Sequence, residues 1–163
     1  TIMSASGSFD VYAYLTLKEG VSLTDTYYLS AAVVPQVSSA ADLGSFMLNG
    51  TQVSVTSGME YGAPPLNDVL GPNSDTGDLQ GHSIFDTFYT QLAFTFNENI
   101  YVDAYNTQDT RLSALPGYSG GERMYYAVFS IDTANLDPNY QIHFDLFNGS
   151  LVYRNNGTRR NPI

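Results

Sequence analysis

Carboxylates are the side chains best suited to do chemistry in this chain. Asp68, Asp75 and Asp78 fall in a Gly- and Pro-bounded loop whose centre reads Asn73-Ser74-Asp75-Thr76-Gly77-Asp78. Oxygen-rich loops of this kind supply the hard ligands of Ca²⁺, which takes about six to eight oxygens. The spacing is not that of an EF-hand, and Asp/Gly loops are also ordinary turns. Two readings therefore stand, a Ca²⁺ site and a plain turn. Asp103 to Asp109 forms a second acidic loop with a weaker pattern.

Hydrolysis would need a general acid and a general base facing one cleft. Asp86, Asp103 and Asp145 are candidates, yet no spacing pairs them, and Trp, the usual sugar platform, is absent. His82 and His143 lie far apart. A zinc site would need both of them and an Asp brought together by the fold, whereas single structural histidines need nothing further. With no cysteine there is no disulfide, thiolate metal site or Cys nucleophile. Nucleophile-elbow, phosphate-loop and dinucleotide patterns are absent as well. The expectation is a chain that is not an enzyme.

The elements that must position these residues read as β-strands. From Phe9 to Leu17 the odd positions are apolar and the even ones are Asp10, Tyr12, Tyr14 and Thr16, the alternation of a half-buried strand. Tyr27 to Val34 is a second apolar run, stopped by Pro35. Ser45 to Leu48 and Gln52 to Thr56 flank Asn49-Gly50, the strongest short hairpin signal. Ile84 to Phe96 is the longest candidate strand, with Ile84, Phe88, Leu92, Phe94 and Phe96 on one side. Ile100 to Tyr105, Met124 to Ile131, Gln141 to Phe147 and Ser150 to Arg154 follow, the last after Asn148-Gly149. Ser38 to Leu43 has the composition for one helical turn, and no longer helical period appears. The pattern predicts an all-β, antiparallel sandwich of jelly-roll type, a single domain over residues 1–163. Two long loops, Gly58 to Gly81 and Asn106 to Gly121, interrupt it.

Composition narrows the partners. Of 163 residues 43% are hydrophobic, enough for a core, while only 13% are charged. The surface is therefore dressed in hydroxyls and amides, as on secreted and cell-surface proteins. A net charge of −10 repels nucleic acid and anionic lipid headgroups and attracts divalent cations. No apolar run approaches the ~20 residues of a membrane span. Three of the six cations, Arg154, Arg159 and Arg160, sit in the last ten residues. A basic tail on an acidic body suits head-to-tail attraction between copies, and it is equally the composition of a solvated tail. The start at Thr1 suggests a processed chain.

Thirteen tyrosines have two readings. Tyr12, Tyr14, Tyr27, Tyr28, Tyr125 and Tyr126 fall in strands, where aromatic pairs are ordinary packing. Exposed, they would suit a glycan-binding face or a subunit interface. Sequons at Asn49, Asn148 and Asn156 are candidate glycosylation points, and two of them double as hairpin turns.

The segment Gly81-His82-Ser83-Ile84-Phe85-Asp86-Thr87-Phe88-Tyr89 resembles the prokaryotic "choice-of-anchor" surface proteins, the anchor N group most closely. The resemblance continues in Ala104 to Asp109, in Tyr126-Ala127-Val128-Phe129 and in Ile142 to Phe147, so it covers the C-terminal half. It implies a secreted protein held at the surface by an interchangeable C-terminal sorting signal, with no assigned enzymatic activity. Arg159-Arg160-Asn161-Pro162-Ile163 departs from that pattern, having neither sorting motif nor apolar tail. Either an anchor has been cut off or the protein is retained in some other way, and self-assembly is the expectation for the second case. The N-terminal segment 1–8, with Thr1, Ile2, Met3, Ser4 and Ala5, would add a strand to the next copy. Arg154, Arg159 and Arg160 would attract the acidic body, and Ca²⁺ would assist. The sheet region contains one lysine, Lys18, so charge guards few edges. The alternative is a monomeric binding module for a glycan or cell-wall polymer.

Overall fold

The computed structural model describes residues 2–3, 7–17, 21–62, 86–105, 122–148, 152–153 and 159–160. Every regular element among them is a strand: β1 (Ile2–Met3), β2 (Ser8–Thr16), β3 (Tyr27–Val34), β4 (Ser45–Leu48), β5 (Thr51–Ser54) and β6 (Glu60–Gly62). After these come β7 (Thr87–Phe94), β8 (Tyr101–Asp103), β9 (Arg123–Asp132), β10 (Gln141–Asn148), β11 (Val152–Tyr153) and β12 (Arg159–Arg160).

Pairing is nested: β1 with β10, β2 with β9, β3 with β7, β4 with β5, all antiparallel. A hairpin nested in this way and rolled on itself is the jelly roll. It yields one sheet in the order β1-β10-β3-β7-β6 and a second in the order β2-β9-β4-β5. β8 joins the second sheet on the β4 side of β9, at the opposite end of that strand: β8 meets Arg123 to Tyr125, β4 meets Ile131 and Asp132. β11 and β12 form a separate two-stranded ladder.

Local pattern explains most of these strands. In β2, Val11, Ala13 and Leu15 are buried while Asp10 and Tyr12 face solvent. Each fully buried Val, Leu, Ile or Phe contributes about 1.5–3 kcal/mol, which fixes the register, because a one-residue slip would expose the whole set. β3 is the central strand of its sheet and is covered on both faces, so even Ser30 and Ala32 are enclosed. It ends before Pro35, which has no N–H to continue a ladder. The β4–β5 turn uses Asn49 (φ 51°) and Gly50 (φ 81°), the pair of positive φ angles that a two-residue hairpin requires.

Aromatic rings tie the two sheets together. Phe94 of β7 meets Phe129 of β9 at 4.8 Å between centroids, edge to face (73°), and Phe9 of β2 meets Phe144 of β10 at 6.4 Å (78°). Phe96 packs edge-on against Tyr27 at 4.8 Å. Polar groups inside are tied off locally. Tyr27 Oη donates to the Ser22 carbonyl (2.7 Å). Thr87 Oγ1 donates to the Val33 carbonyl (3.0 Å) and accepts from Val37 N (3.2 Å), joining the start of β7 to the exit of β3. Thr56 holds a left-handed backbone (φ 65°), unusual for a β-branched residue. Its hydroxyl donates to the Ala41 carbonyl (2.7 Å) and accepts from Ala41 N (3.2 Å), which offsets the strain.

The structure corrects several expectations. The loop expected from Gly58 onward contains β6, which pairs with β7 through Glu60↔Tyr89, Tyr61↔Phe88 and Gly62↔Thr87. Residues 38–43 form no helical turn; Val37 and Leu43 are instead drawn into the core, and Asp137 N binds the Leu43 carbonyl (3.0 Å). Arg159 and Arg160 lie in β12, opposite Tyr153 and Val152 of β11. The long-strand expectation of Ile84 to Phe96 shortens to Thr87–Phe94; Phe88, Leu92 and Phe94 do share the core face.

Candidate assembly edges and outer faces

Each sheet ends, on the same side of the sandwich, in a strand from the N-terminal segment. β1 lies on β10 with Ile2 opposite Phe144 and Met3 opposite His143, covering two of the eight residues of that strand. The chain then steps across to the second sheet through Gly7. Gly7 has φ 109°, a conformation side chains disfavour, and its carbonyl accepts from Thr133 N (3.0 Å) and Thr133 Oγ1 (3.4 Å). From there β2 runs nine residues along β9. Among the described residues, β2 has a ladder partner only on its β9 side. No lysine and no proline interrupts this edge, and Asp10 is its one charged residue. Thus Ile2 and Met3 of the assembly set lie in a strand, as do Arg159 and Arg160. Thr1, Ser4, Ala5 and Arg154 lie outside the described residues.

The six strand tyrosines divide by face. Tyr27 and Tyr125 are buried, and Tyr28 stacks on Phe147 at 5.4 Å. Tyr12, Tyr14 and Tyr126 point outward from the β2–β9 pair. Their ring centroids lie 6.2–6.4 Å from one another, and Tyr12 and Tyr14 are nearly parallel (15°). Tyr105 closes the group, edge-on to Tyr14 at 6.2 Å with the two hydroxyls 3.3 Å apart. That hydroxyl contact and partial burial push the Tyr14 pKa up to about 12. Tyr101 pairs with Tyr125 across β8 and β9, and the Arg123 guanidinium sits 4.2 Å over its ring. Alternation alone marked Tyr12 and Tyr14 as outward; Tyr105, just past β8, joins them only through the fold.

The outer face of the first sheet is polar and enclosed. One cross-strand row reads Gln91–Ser30–Asp145 and the next Tyr89–Ala32–His143. His143 Nε2 lies 3.0 Å from Asp145 Oδ2, while Ser30 Oγ and Gln91 Nε2 are buried without a hydrogen-bond partner. Ser30 Oγ is not hydrogen-bonded to His143. Of the three hydrolase candidates, Asp145 lies on this face, Asp103 on β8 in the other sheet and Asp86 in solvent before β7; the fold does not gather them.

No protein-family model, curated protein or solved structure matches this chain. Its function is argued from these edges and faces. Asp68, Asp75, Asp78 and His82 lie outside the described residues, and among the described residues no three His, Asp or Glu side chains cluster to hold a metal. Asn156 is likewise outside. Asn49 sits on the exposed β4–β5 turn, an open position for a glycan. Asn148 corrects the reading of its sequon as an exposed turn: it is the last residue of β10, opposite Tyr27, and 0% exposed. A glycan on that side chain has no room in the folded chain.

Proposed function

We propose that this chain is a structural subunit of an extracellular filament, tube or surface layer, whose copies join head to tail by exchanging the N-terminal strand. The observation that carries this reading is β1, a two-residue strand held on the β10 edge and separated from β2 by residues 4–7. Its ladder on β10 makes the same contacts whether the donor is this copy or the next. Linker strain and protein concentration then decide between the closed and the exchanged form. A short hinge favours exchange, and a heterologous contact that does not close propagates as a filament. Among the described residues the neighbouring β2 edge has no strand on its outer side, so a docked copy would have further main chain to pair with. The acidic body and the arginines of β12 suit such head-to-tail contact, and Ca²⁺ bound at Asp68, Asp75 and Asp78 would reinforce it. A low-charge, hydroxyl-rich surface fits an extracellular setting.

The test uses the absence of native cysteines. Met3 and His143 are directly opposite in the ladder, where Cα atoms about 4.5–5.5 Å apart accept a disulfide. A Met3→Cys/His143→Cys protein, oxidised at high concentration with and without Ca²⁺, should give a ladder of covalent oligomers on a non-reducing gel. Removing residues 1–7 should abolish assembly seen by electron microscopy. Only intramolecular disulfides, together with a monomer at every concentration, would refute the proposal.

A further inference from the structure

The outer face of the second sheet carries a groove whose Asp10–Ser130 pair is followed along β2 and β9 by Tyr12–Val128, the start of the tyrosine cluster. It has a volume of about 360 Å³, and Ser8, Asp10, Met47, Gly50, Ser130 and Asp132 line it together with the neighbouring Phe9 and Ile131. That is within the range of about 300–1,000 Å³ typical of small-molecule sites. The β2–β9 register assembles it: Ser8 faces Asp132, Asp10 faces Ser130, and the next pair is Tyr12 with Val128. Alternate residues of a strand share a face, so Asp10, Tyr12 and Tyr14 follow one another along a single rim.

The chemistry of this strip is specific. Tyr12 is 48% exposed and Val128 40%, a large apolar surface at the end of the groove. Tyr12 and Tyr14 present parallel rings edged by hydroxyls. Asp132 is committed, accepting from Ser8 Oγ (2.9 Å) and Ala134 N (2.8 Å), and these bonds hold its carboxyl below the usual range. The Asp10 carboxylate has no hydrogen bond or ion pair among the described residues and keeps its accepting capacity. Among the described residues no cation lines the groove, and its two carboxylates disfavour an anionic ligand. Flat aromatic rings beside acceptor-rich polar groups match a molecule with apolar C–H faces and many hydroxyl donors, and no negative charge.

We infer that this strip, Asp10, Ser130 and Asp132 with Tyr12, Tyr14 and Tyr126, is a binding site for an uncharged oligosaccharide of pyranose units. One sugar would sit in the groove with its hydroxyls donating to Asp10 and Ser130. The next would lie on the Tyr12 ring. The site does not rest on strand exchange, and a monomer would carry it.

The experiment is titration of the ¹⁵N-labelled full chain with cellotetraose, mannotetraose, xylotetraose and N-acetylchitotetraose, with tetragalacturonate as the anionic counterpart. At least one neutral sugar should shift amides of β2 and β9 around Asp10, Tyr12, Ser130 and Asp132, and tetragalacturonate should not. Tyr12→Ala and Asp10→Asn should each weaken that binding about tenfold, since each removes one stacking or one charge-assisted contact. Asp10 is exposed and unbonded, so Asp10→Asn keeps the fold even where Tyr12→Ala does not. Absence of shifts with all four neutral sugars at millimolar concentration would overturn the inference. So would equal binding of tetragalacturonate, or shifts at Asp10 and Asp132 produced by Ca²⁺ alone. A peptide of residues 1–8 that occupies β2 in place of sugar would identify the strip as a strand-addition surface instead.

Discussion

Phe129 and Val128 are neighbours in β9 with opposite fates, and that contrast makes a sharp test of the fold. Phe129 is 3% exposed, packed at 4.8 Å against Phe94 of the other sheet, whereas Val128 is 40% exposed on the outer face. Truncating Phe129 to Ala removes a ring at the contact between the sheets and leaves a cavity. Such changes cost about 3–5 kcal/mol. Val128→Ala removes two methyls already in water and should cost no more than about 0.5 kcal/mol. With a urea dependence of about 2 kcal/mol per M for a domain this size, Phe129→Ala should lower the unfolding midpoint by about 1.5–2.5 M. Val128→Ala should lower it by less than about 0.3 M. Equilibrium urea unfolding followed by tyrosine fluorescence measures both. Equal losses, or a larger loss for Val128→Ala, would mean that β9 is out of register by one residue. The core, the tyrosine face and the groove would then all be wrong together.

Two further perturbations probe single residues. Burial and the nearby Asp25 push the Tyr27 pKa from 10 up to about 12. Its neutral form is thus favoured by folding, with that stability fully present below pH 10 and lost as pH rises through about 12. Urea midpoints should accordingly fall across this window, and less steeply in Tyr27→Phe; an identical fall in both proteins would refute the assignment. Gly44 has φ 80°, and a Cβ there would run into the Asn135 carbonyl oxygen beside the Gly44↔Leu136 bridge. Gly44→Ala should cost more than the roughly 1 kcal/mol of a simple conformational penalty, read as a fall in Tm, while Gly50→Ala, with open space around its Cβ, should cost less. A Tm for Gly44→Ala at or above that of Gly50→Ala would contradict the close approach.

Much of this molecule is legible in local pattern. The alternation of β2, the stop at Pro35 and the Asn49-Gly50 turn each act over two to nine residues, and each stands in the structure where the sequence predicts it. β6 is not legible, because three residues carry no period, and β1 falls in the segment expected to act as a strand but lies on this chain's own β10. The sequon at Asn148 misleads for a related reason. Asn-Gly has the same composition in an exposed turn as at the end of an enclosed strand, and only the packing around Tyr27 distinguishes the two.

The sequence by itself determined that this chain is all β and which side chains of each strand share a face, since both follow from a period of two and from turn chemistry. Tertiary structure decided which strand lies beside which. Ser8 meets Asp132 and Ile2 meets Phe144 across more than a hundred residues, and no local signal specifies such a closure. The nesting of pairs follows from burying two apolar faces against each other at once. That requirement brings Asp10, Tyr12, Tyr14 and Tyr126 into one strip. It also leaves β1 on the edge of one sheet and β2 on the edge of the other.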